Sequence, residues 1–208
     1  EMIASDSFRY VPRPDYPIWR WFTAPLEVFT IGPDMATVLL IVVLIMLIGA
    51  SFAVMDKGGI LRAILEALVR TFATRKYLLL LVIAFFFMLL GGVFGILEEV
   101  IILVPVMVGL SYALGWDSLV GLGMSILATN MGFSAAVINP FTIGVAQSIA
   151  GLPAFSGAWF RAIIFAVVYT IFAVFLVRYA RRIERDPLKS LVHQEDARER
   201  AKYAGFDV

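Results

Sequence analysis

An all-α integral membrane protein is the fold expected for this chain. Of its 208 residues, 61% are hydrophobic and only 16% charged, and the mean hydropathy is +0.91. The charges gather in an N-terminal arm, one middle segment and the tail, which leaves long apolar runs between them. Two of those runs exceed a simple span and carry glycines, polar residues and an Asn-Pro step in their interiors. Composition of this kind excludes a soluble globular domain.

The net charge of +1 conceals two basic blocks. Lys57, Arg62, Arg70, Arg75 and Lys76 form one, and Arg178, Arg181, Arg182, Arg185, Lys189, Arg198, Arg200 and Lys202 the other. Both are expected on the cytoplasmic side, at 56–76 and 178–208, since basic loops are retained there. They flank apolar segments instead of lining one soluble face, so a nucleic-acid partner is not expected. The absence of cysteine excludes disulfides and thiolate metal sites. The first residue is Glu1 and no cleavable leader pattern follows it.

The elements follow from the length needed to cross about 30 Å of hydrocarbon, roughly 20 helical residues. Residues 1–34 carry Pro12, Pro14, Pro17, Pro25 and Pro33 with Tyr16, Trp19, Trp21 and Phe22 between them. That suits an extracytoplasmic loop with headgroup-level aromatic anchors. Residues 35–55 form a clean span. Over 58–75, Ile60, Leu61, Ile64, Leu65, Leu68, Val69 and Phe72 recur at helical spacing opposite Arg62, Glu66 and Arg70. This is the pattern of an amphipathic helix lying in the membrane surface. A further span is expected over 159–177, followed by a cytoplasmic basic tail over 178–208.

The two runs between are the informative ones. Residues 77–114 number 38 and residues 117–151 number 35, roughly 50 to 57 Å if fully helical. Each must be interrupted. Gly91, Gly92 and Gly95 precede the adjacent carboxylates Glu98 and Glu99 in the first; Thr129, Asn130, Gly132, Ser134, Asn139 and Pro140 interrupt the second. Freed backbone at membrane depth is tolerated only where it lines a cavity or is packed in protein. If both basic blocks are cytoplasmic, the segments from 77 to 177 cross an even number of times in total. With 159–177 crossing once and 117–151 crossing as a broken span, 77–114 must return to its own side. Its parts 77–90 and 100–114, at roughly 21 to 23 Å, are too short to cross alone. The expectation is a re-entrant hairpin with Glu98 and Glu99 at its tip near the midplane.

Ionisable groups at that depth are costly and mark substrate or ion paths. A plainer role for the glutamates is to cap the second half-helix, where the dipole and free amides favour a carboxylate. Successive helical residues point about 100° apart, so the two are expected to serve different purposes. Asn139-Pro140 also reads as an ordinary helix start, with Asn at the cap and Pro in the first turn. Asn130 and Ser134 can satisfy freed backbone, the glycines can permit tight turns, and His193 lies in a solvated tail.

Three separated motifs carry a family resemblance. GGVFGILEEVIILVPVMVGL at 91–110, ATNMGFSAAVINPFTIGVAQSIAGLP at 128–153 and RYARRIERDPLKSLV at 178–192 resemble the YfcC family, whose members are named as basic amino-acid antiporters. That family is similar to the C4-dicarboxylate anaerobic carriers of the DcuC type, within the wider ion transporter superfamily. The resemblance covers roughly residues 25–192. It implies an inverted-repeat transporter of the bacterial cytoplasmic membrane, in which each half supplies one re-entrant hairpin and one broken helix. By that pattern this chain is most of the N-terminal half, its partners being the missing C-terminal half, membrane lipids, a small-molecule substrate and a second copy in a homodimer.

The resemblance also implies roles. The hairpin tip from Phe94 to Glu99 and the loop from Thr129 to Pro140 correspond to the two loops that, in sodium-coupled relatives, hold a cation. Backbone and small polar groups at Gly95, Ile96, Thr129, Ser134 and Thr142 become the candidate site for sodium or a proton. Glu98, Glu99, Asn130 and Asn139 become the candidate substrate residues, with Gly91, Gly92, Gly132 and Pro140 as structural breaks. Dicarboxylate symporters carry a neutral Ser-Asn-Thr at the tip; here it is Leu97-Glu98-Glu99. Two carboxylates repel a dicarboxylate and attract a cation, so the expected function is alternating-access transport of a small, basic amino acid. The alternatives are a DcuC-like carboxylate carrier whose glutamates hold a proton or sodium ion, and a non-transporting membrane scaffold subunit. An intramembrane enzyme is not expected, since no second carboxylate segment, membrane histidine or metal-ligand spacing accompanies the pair.

Overall fold

The structure is a computed structural model that describes residues 17–19, 21–23, scattered positions from 26 to 54, and 57–72 and 74–200. Most of the arm at 1–34, most of the span at 35–55 and the last eight residues therefore lie outside the described residues. The chain divides into units at 1–49 and 50–208, and the architecture below is that of the second. Every element among its described residues is helical.

Helix α1, Ile60–Phe72, is the amphipathic segment. Leu65 is buried and Val69 and Phe72 pack on the core, while Glu66 and Arg70 face outward. Helix α2 runs from Lys76 to Phe94, 19 residues, and its final stretch Leu90–Phe94 opens into a wide π turn. It ends at Gly95, whose φ of 76° lies in the left-handed region that glycine adopts freely. Helix α3, Glu99–Ala113, begins with a tight 3₁₀ turn over Glu99–Leu103. Helix α4, Ser118–Ser134, is capped by Asp117, whose Oδ1 accepts the Val120 amide at 2.9 Å. After a non-helical stretch at 135–139 comes α5, Pro140–Gly144 continued by Val145–Ile149. Helix α6, Ala158–Arg185, is 28 residues long. A 3₁₀ turn at Pro187–Lys189 and the short α7, His193–Glu199, close the described chain.

Helix α4 is the central element, wedged between α2 and α3 with α6 along its flank. Glycines make that possible. A Cβ at Gly132 would fall 1.9 Å from the Met88 carbonyl oxygen, and one at Gly91 2.1 Å from that of Thr129. The core around this contact is apolar, formed by Leu80, Ile83, Phe87, Met107, Val120, Met124 and Phe172 among others. Helices α2 and α6 are apolar and long enough to cross a membrane.

Both interrupted segments differ in detail from expectation. Gly91 and Gly92 do not break the first, because α2 stays helical through them to Phe94; the turn is at residues 95–98. The first arm is thus about 28 Å long, a full span's length and not the shorter piece ending at 90. In the second segment Thr129, Asn130, Gly132 and Ser134 are all on α4, and only 135–139 is unwound. Glycine's missing side chain serves close packing here, and its backbone freedom is used at Gly95. The chain nonetheless turns back on itself: the rings of Tyr77, at the start of α2, and Trp116, just past α3, are 5.8 Å apart.

The tail is not a free solvated strand. Asp196 is buried, accepting from the Tyr112 hydroxyl and the Ser118 amide, both at 2.8 Å. Arg200 donates to the Trp116 carbonyl at 2.7 Å and lies over the Tyr112 ring. From the other side Asp117 Oδ2 accepts the hydroxyls of Tyr179 and Ser190. Lys76 and Tyr77 both donate to Glu184, which ties the start of α2 to the basic C-terminal end of α6.

Candidate functional site

The two interruptions meet. Gly92 O, freed where α2 widens, accepts the amides of Val137 at 2.9 Å and Ile138 at 3.4 Å from the unwound stretch of the other segment. Gly91 O accepts Asn139 Nδ2 at 3.1 Å. Asn139 is fully buried, and its Oδ1 in turn caps α5 by accepting the amides of Phe141 at 2.8 Å and Thr142 at 3.3 Å. Pro140 fits the first position of α5 because no amide hydrogen is required there. A Cβ at Gly95 would fall 2.5 Å from Asn139 Oδ1, so the turn of one segment is moulded to the cap of the other.

Around this junction the sequence-derived residues separate into three groups. Gly91, Gly92, Gly95, Ile96, Asn139, Pro140 and Thr142 are brought together at or next to it, with Ile96 buried and bonded through its amide to Leu90 O at 3.2 Å. Thr142 Oγ1 is buried and makes no hydrogen bond among the described residues. Thr129 and Asn130 are not part of the unwound stretch; each bonds back one turn, Thr129 Oγ1 to Ser125 O at 3.0 Å and Asn130 Nδ2 to Ile126 O at 2.9 Å. Thr129 is buried at the Gly91 contact, whereas Asn130 and Ser134 are exposed.

Glu98 and Glu99 follow Gly95 on the turn. Glu98 is exposed and Glu99 half-buried. Glu98 occupies the position before the 3₁₀ turn yet makes no side-chain cap, which removes the plainest structural role for it. No hydrogen bond or ion pair of either carboxylate occurs among the described residues. Two adjacent carboxylates thus open α3 without a counter-ion among the described residues, just past Gly95, the turn residue moulded to Asn139.

Sequence reasoning missed Arg161, in the first turn of α6. Its Nε donates to Val137 O at 2.8 Å, so a guanidinium holds the unwound stretch from a third side, and Nη1 donates to Ser156 O at 2.9 Å. A lone charge near the start of an expected span was the available signal. Gln147 was missed as well: buried on α5, it bonds Ser156 and the Phe155 amide and so holds the loop leading into α6. No group of three metal-ligating side chains occurs among the described residues.

Residues 18–206 match the family described as DcuC, C4-dicarboxylate anaerobic carrier. Over 183 residues the chain is 32% identical to a protein of Escherichia coli (strain K12) named "Putative basic amino acid antiporter YfcC", covering 88% of this chain and 36% of that protein. Over 163 residues it is 29% identical to an uncharacterized protein of Haemophilus influenzae (strain ATCC 51907 / DSM 11121 / KW20 / Rd), covering 78% and 32% respectively. The chain spans about a third of the length of these curated relatives. No solved structure gives a significant match.

Proposed function

Since this chain belongs to the DcuC family of C4-dicarboxylate anaerobic carriers, we propose that residues 76–149 contribute ligand-binding structure to a secondary transporter, and that its substrate is a small, basic amino acid. The observation that carries the substrate class is the adjacent pair Glu98-Glu99, one exposed and one half-buried, without a cationic partner among the described residues, on the turn that follows Gly95. Helix interruptions that face each other at membrane depth are the usual construction of transporter sites. An acidic pair there attracts an ammonium or guanidinium and repels a dicarboxylate. The name of the Escherichia coli relative agrees with a cationic substrate.

In this reading 77–114 is a re-entrant hairpin and 117–151 a broken span, both in a bacterial cytoplasmic membrane with 56–76 and 178–208 on the cytoplasmic side. The Tyr77–Trp116 contact and the pairing of Lys76 with Glu184 favour that arrangement. With a first arm of about 28 Å, the tip sits deeper than the midplane. Sodium or a proton is the coupling ion, held near Gly95, Ile96 and Thr142. The remaining site groups come from a second inverted half, and a homodimer supplies the scaffold against which the two interrupted segments move.

The family description itself favours a second reading, a carboxylate carrier in which the glutamates bind the coupling ion. Uptake into cells producing the gene product that contains residues 1–208 separates the two. Labelled arginine, ornithine and lysine, but not succinate, should enter or exchange, and Glu98→Gln with Glu99→Gln should abolish this. Uptake of succinate alone, with a changed sodium or pH dependence in the double variant, would replace the first reading by the second.

A further inference from the structure

We infer that Arg161 binds a carboxylate of the transported ligand beside the unwound stretch 135–139. The inference rests on the reading above that this stretch forms part of the ligand site. Arg161 is placed where its charge needs explaining. It occupies the first turn of α6, where the helix dipole disfavours a cation. No carboxylate pairs with it among the described residues; two backbone carbonyls, Val137 O and Ser156 O, take its Nε and Nη1. Carbonyl dipoles orient a guanidinium but do not neutralise it.

Its third nitrogen, Nη2, is buried and makes no hydrogen bond among the described residues. A buried N–H on a charged group is among the costliest polar atoms to leave unpaired. A second buried polar atom without a hydrogen bond among the described residues is Thr142 Oγ1, three residues past the unwound stretch on the helix capped by Asn139. Both can donate, and a guanidinium whose orientation is fixed by two carbonyls keeps Nη2 to give a charge-assisted hydrogen bond to a carboxylate. An amino acid and a C4-dicarboxylate, the two substrates weighed above, share that group. In an amino-acid carrier Arg161 would take the α-carboxylate while Glu98 and Glu99 take the cationic side chain. The ligand would then be read at both ends.

Thermal stabilisation of the purified gene product, in detergent, by L-arginine, by agmatine and by succinate tests this. Agmatine keeps the guanidinium and lacks the carboxylate. The wild-type protein should bind arginine more tightly than agmatine. Arg161→Gln should weaken arginine on the order of 100-fold, to the level of agmatine, and leave agmatine unchanged. Should Arg161→Gln fail to fold, Arg161→Lys, which retains a cation to hold the Val137 carbonyl, should weaken arginine about 10-fold with agmatine again unchanged. Equal weakening of arginine and agmatine would mean a purely structural role and overturn the inference, as would unchanged arginine binding. Stabilisation by succinate alone, lost in Arg161→Gln, would remove the basic-amino-acid reading and keep Arg161 as the carboxylate site. A wild-type protein stabilised by neither carboxylated compound would overturn the inference.

Discussion

Gly132 and Gly91 bring two helix backbones into direct contact, and their substitution is the most severe single change expected here. Alanine at Gly132 would drive a Cβ to 1.9 Å from a backbone oxygen that cannot rotate away, so the helices must separate. The expected cost is about 3 kcal/mol or more, read as a lowered melting midpoint in detergent. Gly144 is the control: its nearest neighbour would be Pro140 Cβ at 3.8 Å, so Gly144→Ala should be neutral or stabilising by up to about 1 kcal/mol. Asn139→Ala removes a cap and the clamp on Gly91 O together, and should cost about 2 to 3 kcal/mol. Asn139→Asp should cost as much, because it keeps the acceptor but loses the donor to Gly91 O. Asn139-Pro140 was legible because a cap is a local signal. Gly91, Gly92 and Gly132 were misread because a missing Cβ serves both a sharp turn and a close approach, and the neighbour 40 residues away that decides between them is not visible in the chain.

At the scale of elements, helices α2, α3, α4 and α6 followed from apolar length, and the two interruptions from composition. The unwound stretch proved shorter than the polar run around it, since Thr129 and Asn130 satisfy themselves by bonding back one turn within α4. The tail was read as solvated because its charges look free; the partners of Asp196 and Arg200, namely Tyr112, the Ser118 amide and the Trp116 carbonyl, come from a distant segment. Burial and hydrogen bonding to Asp117 raise the Tyr179 hydroxyl's pKa well above the ordinary tyrosine value, so this latch stays intact at neutral pH. Asp117→Ala should cost about 3 kcal/mol, since the cap of α4 and the acceptor for Tyr179 and Ser190 vanish together. A faster proteolytic cut near residue 190 would report it. Glu184 titrates below the ordinary glutamate range because Lys76, and then Tyr77, donate to it. A carboxylate with a lowered folded-state value contributes stability above its unfolded value, and loses it as the pH falls through the folded one. Thermal stability should therefore hold from neutral pH down to about 4.5 and decline below it, and Glu184→Gln should flatten that part of the profile.

Within the unit 50–208, Lys76 of the first basic block pairs with Glu184 beside the second, and Arg161, which holds the unwound stretch, lies more than twenty residues back along α6 from that contact. Two facing helix interruptions suit a member of a carrier family better than a passive scaffold, which has no use for them. The sequence signal for the proposed substrate class is charge alone, at Glu98-Glu99. Arg161, which would read the other end of the ligand, was hidden by its place in an otherwise apolar span. The most direct measurement is ligand-dependent thermal stabilisation of the wild-type gene product and of its Glu98→Gln, Glu99→Gln double variant, across basic amino acids, C4-dicarboxylates and sodium. Stabilisation by a basic amino acid that disappears in the double variant is the predicted result. Stabilisation by a dicarboxylate or sodium alone, or by a basic amino acid equally in both proteins, would contradict a cation-binding role for the acidic turn.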